Sequence, residues 1–470
     1  MSRDARIWPI LTASLLLSLA IAALFPLVDP DEGRNAEVAR EMARTGDLVV
    51  PHLAGLPYLD KPPLLFALGA AAISALGPTP LAVRLPAIVC SLIALALLGW
   101  LASRRGEADR GAWAMGLTAS APLFAVIAAY VIFDMPLAAA VTAVWVLIAD
   151  EVERGPDTKR RACLSLAIAL GVLAKGPIML AWAIGGSIGA AALMRSRAPL
   201  RWLAWGPGWL IVLAIAGGWF ATALARHPEY LRYAFLEESL ERMTSGSFAR
   251  EQPWWFVAAV LVGGALPWSL ATPWKAPRSD ASRVALGFVL FASVFFTMSR
   301  SKLVTYLVPA IPALAWWAAE CWRSAPPTRR PLALRIAVFG LTPLLVLGGA
   351  PWLRNEARQR SGASLAEAVE RIGAPSVLYE DCYSPGSDFL RDERSRVVSR
   401  LGHPITSNYI LRYRDSLRAR GLWTLIDSVS APLPDVWVRE VRDPRPAPEG
   451  YAPFHRDIRF VAFRPEREQD

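Results

Sequence analysis

Cysteine is scarce in this chain and forms no framework. Of four cysteines in 470 residues, Cys90, Cys163 and Cys321 lie in or beside apolar segments, and Cys382 lies in a polar stretch. None has the spacing of a metal site or of paired disulfides. Charge is sparse as well, with 19% charged residues against 54% hydrophobic ones. A soluble domain cannot hide that much apolar surface, so soluble classes are excluded. The net charge of +10 does not indicate nucleic acid. The arginines stand in short clusters between apolar runs, where they act as orientation signals for a membrane protein.

What the chain does contain is apolar runs of spanning length, about eleven of them. They cover 7–28, 80–103, 112–130, 136–150, 163–175, 178–194, 202–222, 254–274, 284–298, 303–322 and 336–352. The first is longer than the about 7–15 residues of a signal-peptide core and is read as a retained span. Lys175-Gly176-Pro177 divides two short runs, because a helix does not continue through Gly-Pro. Arg3 and Arg6 precede the first run, and Arg104, Arg105 and Arg110 follow the second. If both clusters are cytoplasmic, an even number of crossings separates them, so the short run 62–77 is interfacial or re-entrant. This topology puts the N-terminus in the cytoplasm and gathers the loops 29–61, 133–134, 226–251 and 299–302 on the other face. Beyond 352 the long runs stop and short helix and strand signals alternate. The expected fold class is a polytopic α-helical membrane domain, 1–352, followed by a small soluble α/β domain, 353–470, on the outer, periplasmic side. Strands are expected at 376–379, 422–426, 436–441 and 458–463, and a helix at 407–420.

The polar island 29–61 concentrates the chemistry. Asp31-Glu32 follows the first span, with Arg34, Glu37, Arg40, Glu41 and Arg44 on what reads as an amphipathic helix along the interface. Acids there either cap that helix or, for Asp31 at the mouth of a bundle, act on a bound hydroxyl as general base. Asp60-Lys61-Pro62-Pro63 offers a lysine that either snorkels to headgroups or binds a phosphate, with Asp60 as its pair. Asp134 is a near-membrane acid or a helix cap. Lys175 points into the same cavity or caps the preceding helix. Arg242, Arg300, Lys302 and Tyr306 are donors suited to a phosphate or pyrophosphate.

Taken together these stretches resemble the aminoarabinose transferases and their protein mannosyltransferase relatives, polyprenyl-phosphate-dependent glycosyltransferases of the GT-C fold. The resemblance rests on Asp31-Glu32-Gly33-Arg34, Glu37, Arg40-Glu41-Met42, Gly46-Asp47, Val50-Pro51-His52, Pro57-Tyr58-Leu59-Asp60-Lys61-Pro62-Pro63 and Val83-Arg84-Leu85-Pro86. Weaker matches are Phe133-Asp134-Met135-Pro136, Lys175-Gly176-Pro177 and Ser301-Lys302-Leu303 with Tyr306 and Pro309. The resemblance implies an inverting transfer of a sugar from a polyprenyl-phosphate donor to a lipid, glycan or protein acceptor, at the plasma membrane. It makes Asp31 the catalytic carboxylate and Asp134 a second acid. Lys61, Arg242, Lys302 and Tyr306 hold the leaving phosphate, supported by Glu32, Arg34, Asp60 and Lys175. Asp60 and Ser239 stand where the family commonly has Glu and His. In relatives those two positions can bind a divalent metal, so that site is incomplete here and no cofactor is assigned. The competing class, a transporter or flippase of lipid-linked sugars, calls for ionisable groups at mid-membrane and often for internal repeats. Here the groups collect at one face, and no repeat is present.

Overall fold

The computed structural model describes residues 7–234, 237, 251–324, 332–400, 404–429 and 432–466. The helical part begins with α1 (Ile7–Leu24), α2 (Asp31–Thr45), the hairpin β1 (His52–Leu53) and β2 (Leu56–Pro57), then α3 (Leu64–Leu76) and α4 (Pro80–Arg104). It continues through α5 (Ala108–Ser120), α6 (Pro122–Ile127), α7 (Asp134–Arg154), α8 (Thr158–Lys175) and α9 (Ile178–Met194). A helix with a short π-helical segment at its middle, α10 (Gly206–Arg226), comes next. After it come α11 (Phe256–Gly264), α12 (Trp268–Ala271), α13 (Asp280–Met298), α14 (Ile311–Arg323), α15 (Leu332–Gly348) and α16 (Ala350–Gln359).

Each of the eleven expected runs holds helix. Among the described residues, however, only five helices are long and apolar enough to cross a membrane unaided: α1, α4, α7, α10 and α13. Others are interrupted where proline removes a backbone donor. The run 112–130 breaks before Pro122, 254–274 breaks before Pro267, and 303–322 opens with a 3-10 segment, Val304–Ala310. The break at Gly176-Pro177 separates α8 from α9, with Gly176 at φ 83°. The short run 62–77 is the 13-residue helix α3, about 20 Å long and too short to span.

The tail adds α17 (Ala363–Arg371), β3 (Val377–Glu380), α18 (Pro385–Arg391), β4 (Arg396–Val398), α19 (Asn408–Arg412), α20 (Arg414–Ala419), β5 (Val436–Glu440), β6 (Tyr451–Arg456) and β7 (Phe460–Pro465). One five-stranded sheet runs β4-β3-β5-β7-β6. β3 is parallel to both β4 and β5, while β7 is antiparallel to β5 and β6. All four residues of β3 are buried, as suits a strand covered on both faces. The expected strand at 422–426 does not form; Ile426 makes an isolated bridge to Val398. The expected helix 407–420 is two, broken at Tyr413. β6 was hidden by Pro453, a residue tolerated because β6 is an edge strand.

The chain divides into two compact units, one of 1–21 with 86–349 and one of 22–85 with 350–470. The sequence boundary at 352 falls close to the second junction, but the loop 29–61 belongs to the same unit as the tail. In the first unit α7 is the central helix, 89% of its most apolar window being buried. Trp145 on α7 is fully buried, as are Trp182, Trp268, Trp316 and Trp322 of the same unit. The second unit has its own core at Leu378, Val398, Trp437, Tyr451 and Phe463.

Candidate active site

The acids of 29–41 share a short stretch but not an environment. Glu32 is completely buried and takes a bidentate bond from Arg84, Nε at 2.9 Å and Nη2 at 2.7 Å. Arg84 also donates to the carbonyls of Ala22, Phe25 and Pro26, closing the end of α1. Cations suit the orphan carbonyls of a helix C-terminus, so Glu32 and Arg84 pin the entry into α2. Glu37 is buried against Arg40, at 2.6 and 2.8 Å, and Arg40 reaches on to Asp392 and the Glu393 carbonyl. Burial pushes the Glu37 carboxyl up to about 8, against the pull of Arg40. Glu41 accepts from the Gly55 N–H in the β1–β2 turn, and burial raises its carboxyl too. The run of α2 from Glu32 to Met42 is largely buried, packed on α3 and α18 of its own unit.

Asp31 is the exception. Its side chain is 57% exposed and accepts from Arg34 Nη2 at 2.8 Å. Arg34 is itself mostly buried, bonds the Thr406 carbonyl and hydroxyl at 3.0 and 3.3 Å, and lies over the Tyr58 ring. The carboxylate thus sits on the first turn of α2, oriented by one guanidinium and open to solvent. Asp60 accepts the backbone N–H groups of Asn408 and Tyr409 at 3.2 and 2.8 Å, capping α19. Lys61 Nζ donates to the Asp60 carbonyl at 3.0 Å. A cation at Asp60 would compete with the bonds that its carboxylate makes to α19.

In the other unit, Asp134 occupies the first turn of α7 and Lys175 the last residue of α8. They form an ion pair at 2.5 Å, and the Lys175 ammonium lies 4.6 Å from the centre of the Tyr306 ring. Three separate sequence candidates therefore make one constellation, and both helix ends match the charge they carry. Lys302 donates to the Gln252 carbonyl at 3.0 Å. It lines an open cavity of about 370 Å³ together with Glu251, Gln252, Thr297, Met298, Ser299 and Arg300. Arg242 and Ser239 lie outside the described residues.

Sequence reasoning passed over Asp29 and the roles of Arg84, Thr406 and Arg459. Asp29 is buried and accepts from Arg459 Nη1 at 3.1 Å and Ser384 Oγ at 3.3 Å. Burial raises its carboxyl to about 6, opposed by Arg459. No sequence signal links residues so far apart in the chain.

Residues 7–224 match the dolichyl-phosphate-mannose-protein mannosyltransferase family. The whole chain superposes on ArnT from Cupriavidus metallidurans bound to undecaprenyl phosphate, with a TM-score of 0.83 over 98% of each chain at 21% identity. Archaeal oligosaccharyltransferase AglB from Archaeoglobus fulgidus follows at a TM-score of 0.52, covering 93% of this chain and 69% of that one at 12% identity. The protein is a multi-pass membrane protein of the GT-C fold. In sequence it is 30% identical over 302 residues to the undecaprenyl phosphate-alpha-4-amino-4-deoxy-L-arabinose arabinosyl transferase of Aeromonas salmonicida, covering 62% of this chain and 55% of that one. Its counterpart numbered 2 in Sodalis glossinidius is 29% identical, over 72% of this chain and 65% of that one. The chain thus spans less than two thirds of the length of these relatives.

Proposed function

We propose that the protein is an inverting glycosyltransferase. It moves a sugar from a polyprenyl-phosphate donor to a lipid (lipid A-like), glycan or protein acceptor on the non-cytoplasmic face of the plasma membrane. The observation that supports this most is the selective exposure of Asp31. Asp29, Glu32, Glu37 and Glu41 are buried against partners, whereas Asp31 is 57% exposed and oriented by Arg34. An acceptor oxygen attacks the anomeric carbon, the bond from that carbon to the phosphate oxygen breaks, and the configuration inverts. When the acceptor is a hydroxyl, its proton passes to Asp31. When it is a phosphate, already anionic, no proton is removed, and the Asp31 carboxylate instead stabilises the positive charge that develops at the anomeric carbon. The polyprenyl phosphate departs with the bonding electrons, its charge met by Lys61, Arg242, Lys302 and Tyr306. Asp134, held by Lys175, is the second carboxylate at the sugar. A divalent metal is given no role in this reaction, so transfer should persist in EDTA; loss restored by a divalent cation would contradict this.

The undecaprenyl carrier and the 4-amino-4-deoxy-L-arabinose named for the two relatives are the first substrates to try. Mass spectrometry of lipid-linked sugars and envelope glycans, in cells with and without the protein, tests the function. Loss of one sugar-bearing acceptor together with accumulation of its lipid-linked donor is expected. Identical profiles would contradict it. Transfer by the purified protein in detergent, where there are no compartments to transport between, separates an enzyme from a flippase.

A further inference from the structure

The carboxylate of Asp29 ties together parts of the second unit that are distant in sequence. Its N–H donates to the Arg360 carbonyl at 2.9 Å, beyond the end of α16. Its Oδ2 accepts from Ser384, just ahead of α18, and from Arg459, just ahead of β7. Its Oδ1 lies where side chains cannot go: a Cβ on Gly33 would come within 1.8 Å of it and one on Gly386 within 2.7 Å. Gly33 belongs to the first turn of α2, two residues after Asp31. Asp29 therefore presses directly on the turn that carries the exposed carboxylate, and Arg459 and Ser384 hold it there.

We infer that Asp29 is a positioning residue, which with Arg459 and Ser384 sets where the first turn of α2 presents Asp31. The inference rests on the assignment of Asp31 as the catalytic carboxylate. The tail thereby takes part in the reaction without touching substrate. A loose first turn lets Asp31 drift, and misplacements on the order of 1 Å cost about 100-fold in rate.

Arg459→Gln keeps a polar side chain and removes the charge. In the full-length protein, assayed with undecaprenyl phosphate-4-amino-4-deoxy-L-arabinose and lipid A, its kcat should fall about 10- to 100-fold with donor KM within about twofold. Arg459→Lys should recover most of the loss, and Ser384→Ala should lose less than Arg459→Gln. Placed on Asp31→Asn, Arg459→Gln should lower the residual rate no further. Amide hydrogen exchange over 29–35 should quicken in Arg459→Gln while the rest of the chain is unchanged, a readout that requires no substrate. Unchanged kcat, a loss carried by KM, an equal further loss on Asp31→Asn, or unchanged exchange over 29–35 would each overturn the inference. Full activity of Asp31→Asn would instead overturn the assignment beneath it.

Discussion

Asp31 and Glu32 are adjacent acids at one helix start, and their environments give them different work. Glu32 has no exposed surface and closes a bidentate pair with Arg84; Asp31 is held by Arg34 and faces water. Removing one member of a buried pair leaves an uncompensated charge and costs about 3–5 kcal/mol. Arg84→Ala should therefore lower the thermal midpoint in detergent markedly and reduce the yield of folded protein. A variant as stable as the parent would show that the pair carries no such load. The motif marked both acids, but which one is structural depends on Arg84, and the sequence does not state that pairing. The same holds for Asp134 and Lys175. Each stood out as an ionisable residue beside an apolar run, yet only the packing of α7 against α8 reveals that they neutralise one another.

Helix α2 shows how an element's burial can be misread. Its charges at 37, 40, 41 and 44 suggest a polar stripe, but Glu37, Arg40 and Glu41 are buried, with Arg40 satisfying Glu37 and the loop after α18, while Arg44 stays exposed. The Glu37 carboxyl faces Arg40 and Glu41 on its own helix and Asp388 across the contact with α18, and it is raised from 4.5 to about 8. Between those values the folded state keeps a proton that the unfolded chain has released. The group's contribution to stability is thus complete below about 4.5, falls as pH rises, and is gone above about 8. Glu37→Gln should flatten the thermal midpoint between pH 5 and pH 8 relative to the parent, as read by thermal unfolding. An unchanged slope would assign it to other groups. The break at Gly176-Pro177, by contrast, was legible, because it acts locally through a missing donor and a fixed φ; the breaks at Pro122 and Pro267 fall inside runs read as continuous. The expected strand at 422–426 failed because strand formation needs a partner along its whole length, and β4 offers Ile426 only Val398.

At the scale of the whole molecule, periodicity and hydropathy gave the membrane class, and the motifs gave the resemblance to GT-C proteins, whose fold the structure shares. Neither shows that 22–85 builds one unit with 350–470, because that association is made by contacts hundreds of residues apart, such as Arg34 with Thr406. The proposed topology puts both segments outside the cytoplasm. Single cysteines at Leu48 and Leu433, both exposed, should be labelled by an impermeant maleimide in intact cells once the four native cysteines are replaced. Protection of either until the membrane is opened would reverse the orientation. The function itself turns on Asp31. Wild-type and Asp31→Asn protein, purified in detergent and matched for thermal midpoint, should be compared for release of undecaprenyl phosphate from a sugar-linked donor with acceptor present. The wild type should turn over and Asp31→Asn should be slower by about 10²–10⁴-fold; equal rates would contradict the central claim.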